Sequence, residues 1–249
     1  MERWQGKVAI VTGASAGIGK AIALSFVQNG LKVAALARRK EKLDQLVAES
    51  KDQPGEIFPL VVDIRDEASL LQAFTKIKEK WNTVHVLVNN AGIGRDAPLL
   101  SGPSKDWREM FDTNVLSLMV ATKEAMQLIK ENQSEGHIFH IGSMSGHRVP
   151  PGNMGCYAAT KYAVKALAMG LRNEIKALDL PVRVTLISPG FVETEFEVAR
   201  AGEEAAKKFY AQTTCLSSQD IANAVLYALA APSHVDVNDI WMRPTPQKF

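Results

Sequence analysis

An α/β fold built on one doubly wound parallel sheet is what the sequence predicts, and three observations predict it. Apolar runs of strand length alternate with stretches of helical period from residue 7 to residue 242, and a glycine-rich turn joins the first run to the first helix. No repeat, low-complexity linker or break in composition divides the 249 residues. The alternation supplies about seven strands with helices on both faces, in a single domain over residues 1–249.

The first strand is expected at Lys7 to Thr12, a short apolar run of the buried type. It meets Gly13-Ala14-Ser15-Ala16-Gly17-Ile18-Gly19, then a helical pattern through Ala21, Ile22, Leu24, Phe26 and Val27. Strand, glycine turn and helix form the context of a phosphate-binding loop. Glycines admit a pyrophosphate close to the backbone, and the helix start offers free N–H groups at its positive dipole end. The spacing, Gly-x-x-x-Gly-x-Gly, also suits a purely structural turn. Gly30 ends this helix, and Lys32 to Ala37 is the second strand. Where a site for NAD places an acid against the ribose 2′-hydroxyl, the chain reads Leu36-Ala37-Arg38-Arg39. Two guanidiniums suit the 2′-phosphate of NADP, whose geometry the arginine fork matches. The plainer reading is a solvated basic helix start.

The alternation continues with a helix over Glu41 to Lys51, a strand over Ile57 to Val62, a helix over Glu67 to Trp81 and a strand over Val84 to Asn89. Asp63, just past a strand end, is placed to reach an adenine or to cap the next helix. Asn89-Asn90-Ala91-Gly92 closes the fourth strand, where side-chain amides can tie neighbouring strand ends together. A long helix is expected from about Lys105 to Ile129, with Trp107, Met110, Phe111, Val115 and Leu118 on its apolar face. Asn114 falls in its middle, a poor helix former that is either exposed or held by a specific partner. The fifth strand runs from His137 to Ser143, and Met144 to Gly152 is a loop rich in breakers. A helix bearing Tyr157 extends to near Leu180, and Val182 to Ser188 is the sixth strand. Pro189-Gly190-Phe191-Val192-Glu193-Thr194 follows it. Glu195 to Cys215 is charged and weakly periodic, as in a mobile lid, and a substrate lid over about 190–217 is expected. Ser218 to Ala231 is a last amphipathic helix and Asp239 to Met242 a last strand.

Composition excludes several classes. A net charge of +2 with scattered Lys and Arg argues against a nucleic-acid partner. Two cysteines, Cys156 and Cys215, make no disulfide framework and fit a reducing compartment. No segment has the apolar length of a membrane span. The start, Met1-Glu2-Arg3-Trp4, is not of signal type, and the end matches no prenylation, peroxisomal or retention signal, so a cytoplasmic location is expected. The histidines lack metal-ligand spacing, His137 and His140 falling on opposite faces of a strand, and no metal is expected. Ser143 has no Gly-x-Ser-x-Gly elbow, which argues against a hydrolase, and Cys156 reads as a buried small hydrophobe.

Tyr157 and Lys161 stand four residues apart, with apolar positions at helical spacing behind them, so both fall on one helix face. A phenol with a pKa of about 10 is a poor acid or base at neutral pH. A neighbouring ammonium favours the phenolate and draws the hydroxyl toward proton transfer. In this order and on these elements, Thr12–Gly19, Asp63, Asn89–Gly92, Asn114, Ser143, Tyr157-x-x-x-Lys161 and Pro189-Gly190 resemble the short-chain dehydrogenase/reductase superfamily from Lys7 to Met242. Met1–Trp4, Ser143–Val149 and Met242–Thr245 are similar to two groups within it, the animal dehydrogenase/reductase member 11 proteins and the insect NADP-dependent farnesol dehydrogenases.

The resemblance implies a Rossmann fold, NADP as cofactor and a role for each residue. Tyr157 would exchange a proton with the substrate oxygen, and Lys161 would lower the phenol pKa and hold the nicotinamide ribose. Ser143 would orient the substrate carbonyl, and Asn114 would hold a water linking Lys161 to solvent. Gly13, Ser15, Gly17, Ile18, Gly19, Arg38, Arg39, Asp63, Asn90, Ala91 and Gly92 would bind the rest of the nucleotide. Pro189, Gly190 and Val192 would abut the nicotinamide, and Thr194 would bind its carboxamide or a phosphate.

Val149, Met154, Phe191, Phe196, Phe209 and Tyr210 are expected to wall the substrate pocket, without a charge cluster. That inventory favours a lipophilic alcohol or carbonyl, an isoprenoid such as farnesol first, with a hydroxysteroid, ketosteroid or broad range of carbonyls as alternatives. A non-catalytic NADP-binding regulator would typically lose the tyrosine or lysine that this chain keeps. A dehydratase or epimerase would usually need a larger substrate domain. Leu116, Leu118 and Met119, with Leu167, Met169 and Leu171, put apolar residues on more than one helix face, so a homodimer or homotetramer is expected.

Overall fold

The apolar runs become seven strands in a computed structural model that describes residues 1–248. They are β1 (Val8–Thr12), β2 (Lys32–Ala37), β3 (Glu56–Val61), β4 (Val86–Asn89), β5 (Gly136–Ile141), β6 (Val182–Pro189) and β7 (Asp239–Met242). Every pairing is parallel, in the order β3-β2-β1-β4-β5-β6-β7. The chain steps outward from β1 to β3, then returns to lay β4 on the other side of β1. A crevice opens at the carboxyl ends of β1 and β4, where the winding reverses.

Successive strand residues face opposite layers, which explains why β1 is apolar throughout. Ala9 and Val11 enter a layer with Phe26 of α1 (Gly17–Gln28), Leu43 and Leu46 of α2 (Lys40–Glu49) and Val225 of α9 (Ser218–Ala230). Val8 and Ile10 enter the other layer, with Phe74 of α3 (Glu67–Trp81), Leu128 of α5 (Ser117–Glu131) and Val164 of α6 (Gly155–Ala177). The amino terminus locks into the first layer: buried Trp4 donates its Nε1–H to Leu229 O at 2.8 Å.

The structure corrects the expected elements in several places. The long helix is interrupted: α4 (Ser104–Phe111) passes into a π-helical turn at Asp112–Leu116 before α5 begins. Asn114 lies in that turn and is 2% exposed, so it is not a surface residue. β5 stops at Ile141, leaving Ser143 beyond the strand, where its Oγ accepts from Ser145 N at 3.0 Å. The weakly periodic stretch after Thr194 is helical: α7 (Phe196–Ala201) and α8 (Glu203–Gln212) are separated by Gly202 at φ +89°. Asp66, not Asp63, caps α3. Leu118 belongs to the core and Leu167 and Leu171 pack partly against it, whereas Leu116, Met119 and Met169 are exposed, as are Phe111 and Tyr162. Among the described residues no helix is long and apolar enough to cross a membrane.

Trp4→Ala deletes the largest of these layer-closing side chains together with its hydrogen bond. It should lower unfolding free energy by about 3–5 kcal/mol, read from the urea midpoint at unchanged m-value. A loss below about 1 kcal/mol would show that the amino-terminal lock is not structural.

Candidate active site

Two parallel strands that part at a switch point leave backbone groups without ladder partners, and here Thr12 and Asn90 take them up. Thr12 Oγ1 accepts from Asn90 N and Ala91 N at 3.1 Å each, and donates to Val88 O at 3.3 Å. Asn90 Nδ2 donates to Thr12 O at 2.9 Å and Gly13 O at 3.3 Å. The neighbouring Asn89 amide turns the other way, to Thr122 Oγ1 at 3.0 Å and the buried His140 ring at 3.1 Å. Gly13 has φ +67°, and a Cβ there would lie 2.9 Å from Ala91 Cα. A Cβ on Gly19 would lie 2.4 Å from both Gly13 O and Asn90 Nδ2, so α1 can approach the loop this closely only without a side chain. No side chain caps α1, which leaves its first N–H groups available at the crevice.

That crevice is a cleft of about 360 Å³. Gly13, Ser15, Gly17, Ile18, Arg38, Arg39, Asp63, Asn90, Ala91, Gly92 and Thr194 all line it, whereas Gly19 supports it from behind. The two arginines differ. Arg39 donates to Ser15 Oγ at 3.0 Å and pairs with Glu195 at 2.7 Å. Arg38 is exposed and holds no hydrogen bond or ion pair among the described residues. Asp63 is held by Arg65 at 2.6 Å, and that hydrogen bond keeps its carboxyl below the usual carboxylate range. The cleft therefore offers a glycine cradle at a helix start and an unpaired guanidinium at the end of β2, a donor set that fits a nucleotide with a 2′-phosphate.

A second cavity, about 520 Å³, shares Ile18, Asn90, Gly92, Thr194 and Phe196 with the cleft, so the two meet. Ser143, Tyr157 and Lys161 are brought together on its wall, and Pro189, Gly190 and Val192 also line it. Tyr157 and Lys161 sit in the first two turns of α6, with Lys161 Nζ 5.8 Å from the centre of the Tyr157 ring. Ser143 is near enough to act on the Tyr157 phenol, and Lys161 Nζ donates to Ile141 O at 2.9 Å. Burial pushes the Tyr157 phenol up to about 12, the Ser143 hydroxyl opposing it and the Glu197 charge adding to it. Burial also pulls Lys161 down to about 8. The phenol is thus raised by desolvation, which penalises both charged forms, rather than lowered by the ammonium as the sequence suggested.

Asn114 uses both of its amide donors and one acceptor site of its oxygen. Its Oδ1 accepts from Ile93 N at 2.8 Å, and its Nδ2 donates to Ile93 O at 2.9 Å and Thr160 Oγ1 at 3.0 Å. The π turn places it to fix the 90–93 segment against α6, since Thr160 also donates to Tyr157 O at 2.7 Å. A Cβ built on Gly92 would lie 3.4 Å from Asn114 Oδ1 and 3.5 Å from Lys161 Nζ, so both atoms border one small space.

Of the expected pocket wall, Met154, Phe191, Phe196 and Phe209 line the cavity, and the Phe196 ring sits 5.5 Å from that of Tyr157. Val149 does not line it and is exposed. Tyr210 also lies outside it, donating to Thr194 O at 2.8 Å. The wall is not free of charge, as the sequence suggested: Arg148, Glu197 and Arg200 line it too. The sequence reading missed Thr160, Glu195, Glu197, Arg200 and Gln247. Only Thr160, beside the Tyr-x-x-x-Lys pair, carried a signal. Among the described residues no group of three or more His, Cys, Asp or Glu could hold a metal ion.

A family model described as short chain dehydrogenase matches residues 7–205. The chain is 47% identical to Dehydrogenase/reductase SDR family member 11 of Gallus gallus over 99% of each chain. It is 39% identical to Farnesol dehydrogenase of Aedes aegypti over the full length of both. Among solved structures, the closed form of a serine dehydrogenase complexed with NADP+ superposes with a TM-score of 0.89 at 34% identity, covering 97% of this chain and 96% of that one.

The buried lysine sets a pH dependence. Lys161 loses its proton near pH 8 in the folded chain and near 10.5 when unfolded, so between those values the unfolded chain binds more protons and stability rises with pH. Relative to Lys161→Met, the parent protein should therefore gain about 2 kcal/mol between about pH 7 and about pH 9.5 in chemical unfolding. A gap between the two proteins that stays flat over that window would show that Lys161 is not desolvated.

Proposed function

The chain belongs to the short-chain dehydrogenase family of oxidoreductases, and from the site it carries we propose an NADP-dependent alcohol dehydrogenase or carbonyl reductase acting on a lipophilic substrate. The observation that carries this reading is the junction of the two cavities, with Ser143, Tyr157 and Lys161 together on one wall and Lys161 Nζ 5.8 Å from the Tyr157 ring centre. NADP, when bound, supplies or accepts the hydride. The protein's own share is proton transfer and orientation. Tyr157 Oη gives its proton to the substrate oxygen in reduction and takes it back in oxidation, and Ser143 Oγ orients that oxygen. Lys161, drawn down to about 8, exchanges protons near neutrality and restores Tyr157. The space bordered by Asn114 Oδ1 and Lys161 Nζ is where a solvent relay would run, and the Asn114 amide positions its walls.

Arg38, exposed and unpaired at the end of β2, is the first candidate for the 2′-phosphate, with Ser15 and Arg39 beside it. The NADP+ complex of the serine dehydrogenase supports this cofactor. The second cavity has a volume within the usual range for ligand sites, and Phe191 and Phe209 meet edge to face at 5.1 Å on its wall. Those features support an isoprenoid alcohol such as farnesol, in keeping with the Aedes aegypti relative, and would also accept a steroid. A non-catalytic NADP-binding regulator is disfavoured by the assembled Ser143, Tyr157 and Lys161. Exposed Leu116, Met119 and Met169 support pairing of the helices that carry them into a homo-oligomer, and light scattering that finds only monomer at micromolar concentration would remove that part of the reading.

A panel of farnesol, steroids and simple aldehydes, each offered with NADP(H) and NAD(H) and followed by cofactor absorbance, tests the whole reading. Tyr157→Phe should reduce turnover by about 100-fold or more while NADPH binding persists; turnover near the parent rate would remove Tyr157 from the chemistry. Arg38→Ala should weaken NADPH by roughly 10- to 100-fold and leave NADH nearly unchanged. Ala37→Asp puts a carboxylate where it repels a phosphate and accepts from ribose hydroxyls, so preference should move toward NAD. An Asp variant that still prefers NADP would place the phosphate elsewhere.

A further inference from the structure

Among the described residues, Glu197 is the one carboxylate on the wall of the second cavity, which Arg148, Lys161 and Arg200 also line. It lies on the first turn of α7, next to Phe196, whose ring covers Tyr157, and its charge is felt at the Tyr157 phenol. Its partner is Arg200, three residues on along the same helix, whose Nε and Nη2 both reach Oε2 at 2.7 Å. Those two nitrogens form the edge of the guanidinium that takes a carboxylate in paired fashion. Both side chains are mostly sheltered, at 14% and 23% exposure, so the pair is less screened than a surface one.

Alcohols and hydroxy acids present the same reacting carbon to a tyrosine, serine and lysine. What separates them is how the cavity treats a second, charged group. Without Glu197 the paired edge of Arg200 would be open to an anion; with it, that edge is already filled by a carboxylate of the chain's own. We infer that Glu197 sets the charge class of the substrate by occupying the guanidinium edge of Arg200 that would otherwise bind a substrate carboxylate. The chain thereby favours neutral alcohols and carbonyls over hydroxy acids. This inference rests on the reading of the second cavity as the substrate site.

The test is calorimetric titration of the protein with hexanoate and with hexanamide, which match in length and differ in charge. The parent protein should bind hexanamide at least as tightly as hexanoate. Glu197→Gln should raise the affinity for hexanoate relative to hexanamide tenfold or more, and Glu197→Ala should do the same without leaving an amide to bridge Arg200. The double variant Glu197→Gln/Arg200→Gln should return the ratio to within threefold of the parent. In turnover with NADP+, the kcat/KM ratio of 3-hydroxyhexanoate to hexanol should rise in the same single variants. Hexanamide binding with a ratio unmoved by both single variants, or a gain that survives loss of Arg200, would overturn the inference alone. Failure of the parent protein to bind hexanamide would overturn the substrate-site reading along with it.

Discussion

The arrangement depends on how the chain closes the gap where β1 and β4 part. Ladder bonding ends there, and an unsatisfied buried donor or acceptor costs about 1–3 kcal/mol. Thr12 and Asn90 satisfy the loose strand ends, and the same bonds fix the backbone from Gly13 to Gly92. The connection then continues without a break. Ile93 is held from both sides by Asn114, Asn114 reaches Thr160, and Thr160 reaches Tyr157 O. A set of hydrogen bonds that begins as repair of a sheet therefore ends by orienting the helix turn that carries Tyr157 and Lys161. The glycine loop and the Tyr157–Lys161 turn are parts of one connected structure.

Burial does the next part of the work. Two groups whose charged forms attract one another sit beside each other, yet each is pushed toward its neutral form. Lys161 Nζ is 5.8 Å from the Tyr157 ring centre, and the first claim on its protons is the Ile141 carbonyl. Attraction at that range does not repay desolvation of both ions, so the bare site holds a protonated phenol and a lysine that titrates close to neutrality. Such a pair is suited to hand a proton on rather than to store charge.

Much of this was legible in the sequence because strand burial and local spacing leave local signatures. Apolar runs marked the inner strands, since a sheet covered on both faces has no polar side there, whereas the edge strands β3 and β7 are partly exposed. The loop, Ser143, Tyr157 and Lys161 were legible because their chemistry is set by short-range order. Asn114 showed only as a misfit in a helical pattern. Its meaning came from Ile93 and Thr160, 21 and 46 residues away, and from a π turn that no periodicity announces. Glu195, Glu197 and Arg200 were hidden for a different reason. In a charged, weakly periodic stretch, a carboxylate that faces water and one that faces a cavity look alike. The packing of Phe196 against Tyr157 and the Arg95 bond to Ala199 O turn that stretch inward.

The segment after Thr194 consequently reports on both halves of the site. Glu195 reaches back to Arg39 at the edge of the nucleotide cleft, and Glu197, two residues on, reaches Arg200 at the wall of the second cavity. The two pairs differ in exposure, and exposure decides their worth. Arg39 and Glu195 are about half exposed, at 47% and 52%, so their bond contributes about 0–1 kcal/mol. A charge-assisted hydrogen bond contributes about 1.5–3 kcal/mol. Arg39 is thus held loosely enough to exchange Glu195 for a stronger anion, whereas Arg200, more sheltered, keeps its carboxylate. One short helix and the residue before it combine a weak tie at the first cleft with a firm one at the second cavity. That difference follows from burial and from geometry, since two nitrogens of Arg200 reach Glu197 within one helix whereas a single nitrogen of Arg39 reaches Glu195.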